Sequence, residues 1–321
     1  MAPGADRSGL EPATSRIVIA GGGIAGLEAL VALRRQLGPE PAIDLIDTNV
    51  ELVERPMTVA EPFGPVAARH FDLARIAADH GATLRRDRLA SVDSTSRTAR
   101  TVGGDVLRYD ALLVAVGARA DVAIPGALTF SGPRAVGALR DLLGDLVARR
   151  VRAVAFAVPA GVTWPLPLYE LALMTAEHVR ARGVDDVRLA LVTPERNPLD
   201  VFGVPIAARI RALLAERGIG LFTDTVPGGL GAGGLATAGG KPLAVERVVA
   251  LPRLGGPWID GLPHDADGFI PTDRHCAVPD APGVWAAGDG TAFPIKQGGL
   301  AAQQADVAAS AIGRASCRER V

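Results

Sequence analysis

The sequence predicts an α/β fold with two domains of the same architecture, each built on a parallel sheet. Residues 16–38 place a buried strand, a glycine turn and an amphipathic helix in direct succession. Residues 151–195 run strand, helix, strand, and residues 284–311 add a buried strand and a helix of small residues. Strands that alternate with helices indicate parallel sheets covered by helices. We expect the last segment to return to the first domain, so that the second domain is inserted in it.

Composition bounds the kind of protein. At 321 residues, 48% hydrophobic and 21% charged, the chain is long and apolar enough for two cores. A net charge of −1 gives no electrostatic footprint for nucleic acid, and no apolar run reaches the roughly 18 residues of a membrane span. Five histidines and the cysteines Cys276 and Cys317 give neither metal-ligand spacing nor a disulfide framework. We therefore expect a cytoplasmic protein that binds no nucleic acid and no metal.

The first glycine turn predicts a dinucleotide pocket. Gly21, Gly23 and Gly26 allow, in that order, a tight turn, the approach of a pyrophosphate, and close packing of helix on strand. The phosphates would lie on the helix N-terminus. A second strand ends at Asp47, 21 residues after Gly26 (47 − 26), where a ribose-binding acid is usual. A simple turn residue is the alternative for Asp47.

The rest of the first domain follows in order. Residues 49–66 form a proline-broken loop, and a short helix is predicted at 72–80. Residues 91–110 alternate apolar and polar side chains around Gly103 and Gly104, which indicates a β-meander. Residues 111–118 form a buried parallel strand that ends at Gly117, and residues 121–135 are predicted to be a linker.

The second domain repeats the plan. Strands are predicted at 151–160, 187–195 and 218–225, with helices at 169–182 and 206–217 between them. The glycine-rich residues 227–240 are predicted to be a mobile hairpin, because no strand-to-helix unit surrounds them. A strand at 284–287 and a helix at 299–311 complete the chain.

The order of predicted elements sets the domain limits. We expect a disordered lead at 1–14, a first domain formed by residues 15–125 and 262–311, and a second domain formed by residues 126–261. The last ten residues, IGRASCRERV, back-translate without mismatch into a widely used sequencing-library adapter. We expect residues 312–321 to be non-native, with the natural chain cut inside the helix that begins near Gly299. An ordinary arginine-rich tail is the alternative.

Three motifs in order make the chain resemble the FAD-dependent pyridine nucleotide-disulfide oxidoreductases over nearly all of its length. They are GGGIAG at 21–26, LRYDALLVAVGA at 107–118 and VWAAGDG at 284–290. The resemblance implies two Rossmann-like dinucleotide-binding domains, three-layered with a β-meander, and FAD extended across the first sheet. Within the superfamily the chain is similar to type II NADH:quinone oxidoreductases and to sulfide:quinone oxidoreductases and flavocytochrome c sulfide dehydrogenases.

The resemblance also implies which residues contact FAD. The glycine turn would hold the pyrophosphate, Asp47 the adenosine ribose, and Asp289 the ribityl hydroxyls, since one carboxylate accepts two hydroxyls at once. Arg55, in ERP, resembles an Arg-Pro pair beside the cofactor. The full set implied to bind the cofactor is Gly21, Gly23, Ile24, Ala25, Gly26, Asp47, Arg55, Gly117, Gly288, Asp289, Lys296 and Gln297.

Two residues are implied to be catalytic. The flavin ring would fall where the helix at Gly299 begins, and the helix N-terminus and Lys296 would stabilise an anionic reduced flavin. The P-x-K-x-G pattern of residues 294–298 is similar to that of the sulfide-oxidising relatives, and a solvated loop lysine is the alternative. Glu170, in YELA, matches the glutamate at the helix start of the NADH domain in type II dehydrogenases.

The second domain departs from the family pattern. VPAGVTWPLPLY stands where a glycine turn would bind NADH, and its prolines remove amide donors. Glu195 stands where an acid would bind an NADH ribose, or is a turn residue before Pro198. Trp164 and Tyr169 either wall the flavin face or fill the domain core.

Three functions remain open. The first is transfer of two electrons from NAD(P)H or a related donor through FAD to a quinone-like acceptor. The quinone-reducing branch fits better than the glutathione or thioredoxin reductases, because the sequence has no redox-active CxxC for dithiol exchange. The second is a sulfide-dehydrogenase-like flavoprotein whose second domain binds no nicotinamide. The sulfide-oxidising relatives pass sulfur through cysteines next to the flavin, and this sequence has none at 155–170. Cys276 is expected to be a non-catalytic loop residue. The third is an FAD-binding protein without turnover.

The expected partners are a small-molecule electron donor and a quinone-like acceptor, and homo-oligomerisation stays open. Peripheral contact with the inner face of a membrane is expected only through a C-terminal portion missing here. Gln297, Gln303 and Gln304 resemble the quinone-side helix of type II dehydrogenases, or form a polar helix face.

Overall fold

The computed structural model describes residues 15–318, and the side chains of residues 15–316. The predicted lead at 1–14 and the last three residues of the predicted tail lie outside the described residues. The chain forms two compact units, one of residues 15–52, 72–117 and 256–318 and one of residues 53–71 and 118–255. The predicted domain limits stay a prediction; the units differ from them mainly at 53–71, which group with the second unit.

Both units contain parallel strands and α-helices. The helices are α1 (Ile24–Leu37), α2 (Leu73–Asp79), α3 (Val136–Val147), α4 (Leu166–Arg180), α5 (Val204–Glu216) and α6 (Gly298–Arg318). The strands are β1 (Arg16–Ala20), β2 (Ala42–Ile46), β3 (Glu51–Val53), β4 (His70–Asp72), β5 (Ala82–Arg85), β6 (Leu89–Asp93), β7 (Thr98–Thr101), β8 (Val106–Arg108), β9 (Ala111–Val114), β10 (Arg119–Asp121), β11 (Leu128–Thr129), β12 (Ala153–Ala157), β13 (Arg188–Val192), β14 (Ile219–Phe222), β15 (Pro227–Gly231), β16 (Gly234–Thr237), β17 (Arg247–Ala250), β18 (Arg253–Gly255) and β19 (Val284–Ala286).

The first unit is built on a parallel sheet with strand order β19-β9-β1-β2-β5. Ile17 and Ile19 of β1 pack into one core with α1 and α6, whereas Val18 packs on the opposite face with Leu107 of the β6–β8 meander. Strands that are buried on both faces need a continuous apolar run, which RIVIA supplies after its first residue. The predicted three layers and the predicted meander are therefore confirmed for this unit.

The second unit repeats the arrangement with strand order β11-β17-β12-β13-β14, again all parallel. Val154 and Phe156 of β12 face a core with α3 and α4, and Ala155 faces a core that includes Leu235 of the β15–β16 hairpin. The predicted hairpin at 227–240 is confirmed as an antiparallel pair. Two parallel sheets with helices confirm the predicted α/β fold.

The structure differs from the sequence-based assignment in several places, among them strand β17, which pairs with β12 in the second sheet and was not predicted. The predicted linker contains β11, which is the edge strand of the second sheet, and the helix α3 that follows it was not predicted. Helix α4 begins at Leu166, three residues before the predicted start (169 − 166). Helix α6 continues to Arg318, and Ile312 in the predicted tail is completely buried. None of the helices in residues 15–318 is long and apolar enough to cross a membrane.

Candidate functional site

The glycine turn between β1 and α1 lies at the carboxyl edge of the first sheet. Gly21 has a φ of +111°, and a Cβ atom built there would lie 2.2 Å from the carbonyl oxygen of Ala115. A Cβ atom built on Gly26 would lie 1.8 Å from the carbonyl oxygen of Gly21. No side chain can be accommodated at such distances, so the protein's own packing requires glycine at both positions.

Gly23 differs from the other two glycines. A Cβ atom built on Gly23 meets no protein atom within 4 Å, and its backbone is extended, with φ −80° and ψ −171°. The first helical hydrogen bond runs from the Leu27 amide to the Gly23 carbonyl, so the amides of Ile24, Ala25 and Gly26 precede it. An open space in front of such amides suits an anion at a helix N-terminus. The turn therefore fits the pyrophosphate of a dinucleotide.

Asp47 lies beside this turn. Its Oδ2 accepts the Gly22 amide at 2.6 Å, and its Oδ1 accepts the Asn49 amide at 2.6 Å and the Asn49 side-chain amide at 2.8 Å. A carboxylate offers about four acceptor positions, so these bonds leave room for a hydroxyl. Asp47 is thus fixed against the glycine turn at the place expected for a ribose-binding acid.

The segment after β19 reaches the same edge of the sheet. The Gly288 amide donates to Oε1 of Gln304 on α6 at 2.7 Å, and a Cβ atom built on Gly288 would lie 3.1 Å from the Cβ of Ala25 on α1. A Cβ atom on Gly290 would lie 2.9 Å from the carbonyl oxygen of Gly117, just after β9. The three sequence motifs, which are far apart in the chain, therefore meet at one edge of the first unit.

Lys296 lies in the loop between β19 and α6, and its ammonium group contacts the protein on several sides. Nζ donates to the carbonyl oxygens of Thr291 at 2.5 Å and Phe293 at 2.7 Å. It also lies 3.8 Å from the centroid of the Phe269 ring. The amine is therefore held by backbone carbonyls and an aromatic face.

The charges around Lys296 act in two directions. Burial lowers the pKa of the Lys296 ammonium, while the negative charges of Asp289 and Asp265 favour its protonated form. Asp289 thus lies within electrostatic reach of Lys296, which places the predicted ribityl-binding acid and the predicted catalytic lysine in one neighbourhood.

The three glutamines near the start of α6 have separate roles. Oε1 of Gln297 accepts the Leu300 amide at 2.9 Å and so caps the first turn of α6. Gln304 holds Gly288, as described above, and Gln303 is exposed. A contact between Gln297 and a cofactor stays a prediction.

The acid at the end of β13 is bound by its own unit. Oε2 of Glu195 accepts the Tyr169 hydroxyl at 2.7 Å and the Thr193 hydroxyl at 2.8 Å, and Oε1 accepts the Asp200 amide at 3.3 Å. Tyr169 is 1% exposed and belongs to the core around α4. Burial and then the bond to Glu195 raise the pKa of the Tyr169 hydroxyl. Tyr169 therefore fills the domain core, and Trp164 packs edge-on against Phe202.

The turn between β12 and α4 offers few donors to a phosphate. Pro165 caps α4, Pro167 has no amide hydrogen, and the Leu168 amide donates to the Pro165 carbonyl at 2.9 Å. This helix start differs from that of α1, where three successive amides precede the first helical bond. A pyrophosphate would be bound less tightly here than at α1.

Arg55 and Glu170 belong to the second unit. Arg55 is exposed and begins a short 3-10 helix, Arg55–Val59, and its carbonyl oxygen accepts the Thr58 hydroxyl at 2.6 Å. Glu170 lies in the second turn of α4 with its side chain exposed, and neighbouring atoms raise the pKa of its carboxyl by desolvation. Their cofactor-binding and catalytic roles stay predictions.

Cys276 lies in the loop before β19, as predicted, and is 7% exposed. Its thiol donates to the carbonyl oxygen of Gln304 at 3.5 Å. Burial, with a smaller contribution from the charge of Asp273, raises the pKa of Cys276 to about 11. A thiol in this state is a poor nucleophile at neutral pH.

Among the described residues, no cluster of three or more His, Cys, Asp or Glu side chains is arranged to hold a metal ion.

The first unit combines a parallel sheet, a glycine turn with open space before its amides, a fixed acid after the next strand and a distant Gly-Asp segment at the same edge. This combination is typical of a dinucleotide-binding protein. The chain belongs to the pyridine nucleotide-disulphide oxidoreductase family, whose sequence profile matches residues 15–311. It is accordingly an FAD-dependent oxidoreductase, of a family that includes NAD(P)H-using members. No curated protein matches the chain by sequence.

Solved structures share the fold. The sulfide:quinone oxidoreductase of Aquifex aeolicus superimposes with a TM-score of 0.85 at 20% identity, over 95% of this chain and 77% of that one. A ferredoxin reductase of Rhodopseudomonas palustris gives 0.71 at 20% identity, over 93% and 76%. NDH2 of Plasmodium falciparum gives 0.70 at 14% identity, over 87% and 64%. At these identities the likeness establishes the fold alone.

Sequence reasoning missed two features of these sites. Phe269 has no motif around it, and its contact with Lys296 joins residues 27 positions apart (296 − 269). The bond between Tyr169 and Glu195 joins a helix to the end of a strand. Only the apolar surroundings of Tyr169 in the sequence hinted that this ring is buried.

Proposed function

We propose that this flavoprotein moves two electrons from a small-molecule donor to a quinone-like acceptor. NAD(P)H is the preferred candidate for the donor. The observation that carries the proposal is the open space at Gly23 in front of the amides of Ile24, Ala25 and Gly26. The protein's own packing does not require glycine at this position, which supports a bound ligand as the reason for the missing side chain.

When bound, FAD would supply reversible two-electron chemistry. The chain's own residues would orient it. The α1 amides would bind the pyrophosphate, Asp47 would accept a ribose hydroxyl, and Asp289 would accept hydroxyls of the ribityl chain. Lys296 and the N-terminus of α6 would favour negative charge at the flavin end of the site. The choice of a quinone-like acceptor rests on the sequence, which has no CxxC pair for dithiol exchange.

The start of α4 predicts that NAD(P)H binds weakly. Pro167 supplies no amide, and the Leu168 amide is used by Pro165, so the pyrophosphate of the donor would have little backbone support. Glu195 is turned toward Tyr169 and Thr193. We therefore expect half-saturation at about 1 mM NADH, the upper end of the usual range.

The same observation favours a second candidate, a flavoprotein whose second unit binds no nicotinamide and whose donor is a small reductant such as sulfide. The state of Cys276 limits this candidate. A buried thiol with a pKa of about 11 cannot serve as the sulfur acceptor, so sulfide would have to react without a protein thiol.

An anaerobic titration separates the two candidates. Protein reconstituted with FAD is titrated with NADH, with NADPH and with sulfide while the visible absorbance of the flavin is recorded, and a water-soluble quinone is then added. Bleaching by NAD(P)H that the quinone reverses supports the first candidate. Bleaching by sulfide alone supports the second. A flavin that none of the donors bleaches contradicts both and favours binding without turnover.

A further inference from the structure

Lysine is rare in this chain. Of the 34 lysine and arginine residues only Lys241 and Lys296 are lysines. Lys241 lies exposed after the β15–β16 hairpin, whereas Lys296 is partly buried at the start of α6. An ammonium is a compact point charge with three rotatable donors, whereas a guanidinium is a planar fork, so the two groups are not interchangeable at a site with specific contacts. The contacts around Lys296 therefore indicate why this position has a lysine in a chain whose other basic residues are nearly all arginines.

The Phe269 ring forms one side of the ammonium site. Phe269 is 9% exposed, and its backbone is fixed at both ends: its amide donates to Oδ1 of Asp265 at 2.9 Å, and its carbonyl accepts the Asp265 amide at 2.9 Å. The backbone that carries the ring is thus held in place independently of Lys296. With Nζ 3.8 Å from the ring centroid, the geometry is that of a close cation–π contact.

The remaining sides are backbone carbonyls. Thr291 and Phe293 each accept a hydrogen bond from Nζ, and these carbonyls belong to the loop that leads into α6. The acidic groups that act on the ammonium are Asp289 and Asp265. Both carbonyls lie on the same loop as Lys296, whereas the Phe269 ring contacts the ammonium from a separate segment of the chain.

We infer that Phe269 is a positioning residue, whose ring face holds the Lys296 ammonium at the start of α6, beside Asp289. The inference rests on the proposed function, in which the positive charge of Lys296 acts on the flavin. Phe269 itself touches no reacting atom; it fixes where the charge lies.

Amine acetylation of the FAD-free protein, followed residue by residue with peptide mass spectrometry, tests the positioning. Lys241 serves as the internal reference. We expect Phe269→Leu to raise the rate of Lys296 acetylation about twofold to fivefold, which corresponds to about 0.5–1 kcal/mol for a cation–π contact. Phe269→Tyr keeps a ring face and should leave the rate as in the wild type. Phe293→Leu, an exposed ring in the same loop whose carbonyl is retained, is the matched control and should also change nothing.

The reduction potential of bound flavin provides the second measurement. Phe269→Leu should shift the potential to more negative values, in the direction of Lys296→Met, while Phe269→Tyr should not. If Lys296→Met leaves the potential unchanged, the proposed role of the charge fails, and the acetylation result still decides the positioning. Equal Lys296 acetylation in wild type and Phe269→Leu would overturn the inference. Should the leucine variant fail to fold, Phe269→Met, which also lacks a ring, gives the same test.

Discussion

At the level of single residues, the three glycines of the β1–α1 turn differ in the space that a side chain would find there. Gly21 and Gly26 are closed in by backbone atoms, while Gly23 faces open space. Motif matching treats the three positions alike. The distances separate the two glycines that the fold needs from the one at which a side chain would meet no protein atom.

The first prediction follows from this difference. Gly23→Val should fold with an unchanged melting temperature and lose FAD, because its side chain enters only the ligand space. Gly26→Val should instead be unstable, since a Cβ atom there would lie 1.8 Å from the Gly21 carbonyl oxygen. Thermal melts and flavin content after reconstitution provide the measurement. A Gly23→Val protein that is yellow and fully loaded would contradict the placement of the pyrophosphate.

The second prediction concerns Glu195. Glu195→Ala leaves the buried Tyr169 hydroxyl without its acceptor, so we expect a loss of about 1–3 kcal/mol in the free energy of unfolding. The half-saturating NADH concentration should change less than about twofold, because the carboxylate serves the protein. Glu216→Ala, at the exposed end of α5, is the control and should stay within about 0.5 kcal/mol. Weaker NADH binding at unchanged stability would show instead that Glu195 binds the ribose.

The third prediction concerns Cys276. With its pKa raised to about 11, the group remains a protonated thiol at neutral pH, and its thiolate forms only as the pH rises toward that value. Cys276→Ser should therefore leave flavin reduction unchanged. Alkylation of the Cys276 peptide should be slow at neutral pH and faster at high pH, which mass spectrometry distinguishes from Cys317. Rapid alkylation at neutral pH that also blocks reduction would refute this account.

At the level of elements, helix α6 connects the Gly-Asp segment to the rest of the site. Gln304 accepts the Gly288 amide, and a Cβ built on Gly288 would lie 3.5 Å from the Cβ of Ala301. The helix therefore fixes the backbone from which Asp289 extends.

The fourth prediction tests this connection. Gln304→Ala removes the acceptor of the Gly288 amide and should lower the stability by about 1 kcal/mol and weaken FAD binding. Gln303→Ala, the exposed neighbour on the same helix, is the matched control and should have neither effect. Chemical unfolding and FAD titration of both variants provide the comparison. Equal behaviour of the two variants would mean that the Gly288 bond does not matter.

The sequence predicted the elements whose signal is local. The RIVIA strand, the meander around Gly103 and Gly104 and the helices that end at glycines follow from patterns within a few residues. Helix α3, which buries Leu139 and Leu143, was not predicted because it directly follows residues 121–135, whose prolines and glycines are typical of a linker. The two-residue strand β11 is defined only by its pairing with β17, which no local pattern encodes.

The candidate site shows the same division. The glycine turn, Asp47 and the Gly-Asp segment were predicted because motif and spacing identify them. The contacts of Gln304 with Gly288 and of Phe269 with Lys296 were not, since each joins residues that are far apart in the sequence. Tertiary packing decides which polar groups serve the fold and which face a ligand.

At the level of the whole molecule, the two units share one architecture and differ at the turn between a central strand and the helix that follows it. Each has a five-stranded parallel sheet with helices on one face. In the first unit three amides of the β1–α1 turn precede the first helical hydrogen bond, whereas the β12–α4 turn of the second unit contains prolines. This asymmetry predicts one tightly bound dinucleotide for each chain.

Calorimetric titration of FAD-free protein with FAD, and separately with NAD⁺, tests this central claim most directly. We predict that FAD binds at one site per chain and that NAD⁺ binding is too weak to measure at the same protein concentration. Protein that binds no FAD, or that binds NAD⁺ as tightly as FAD, would contradict the account.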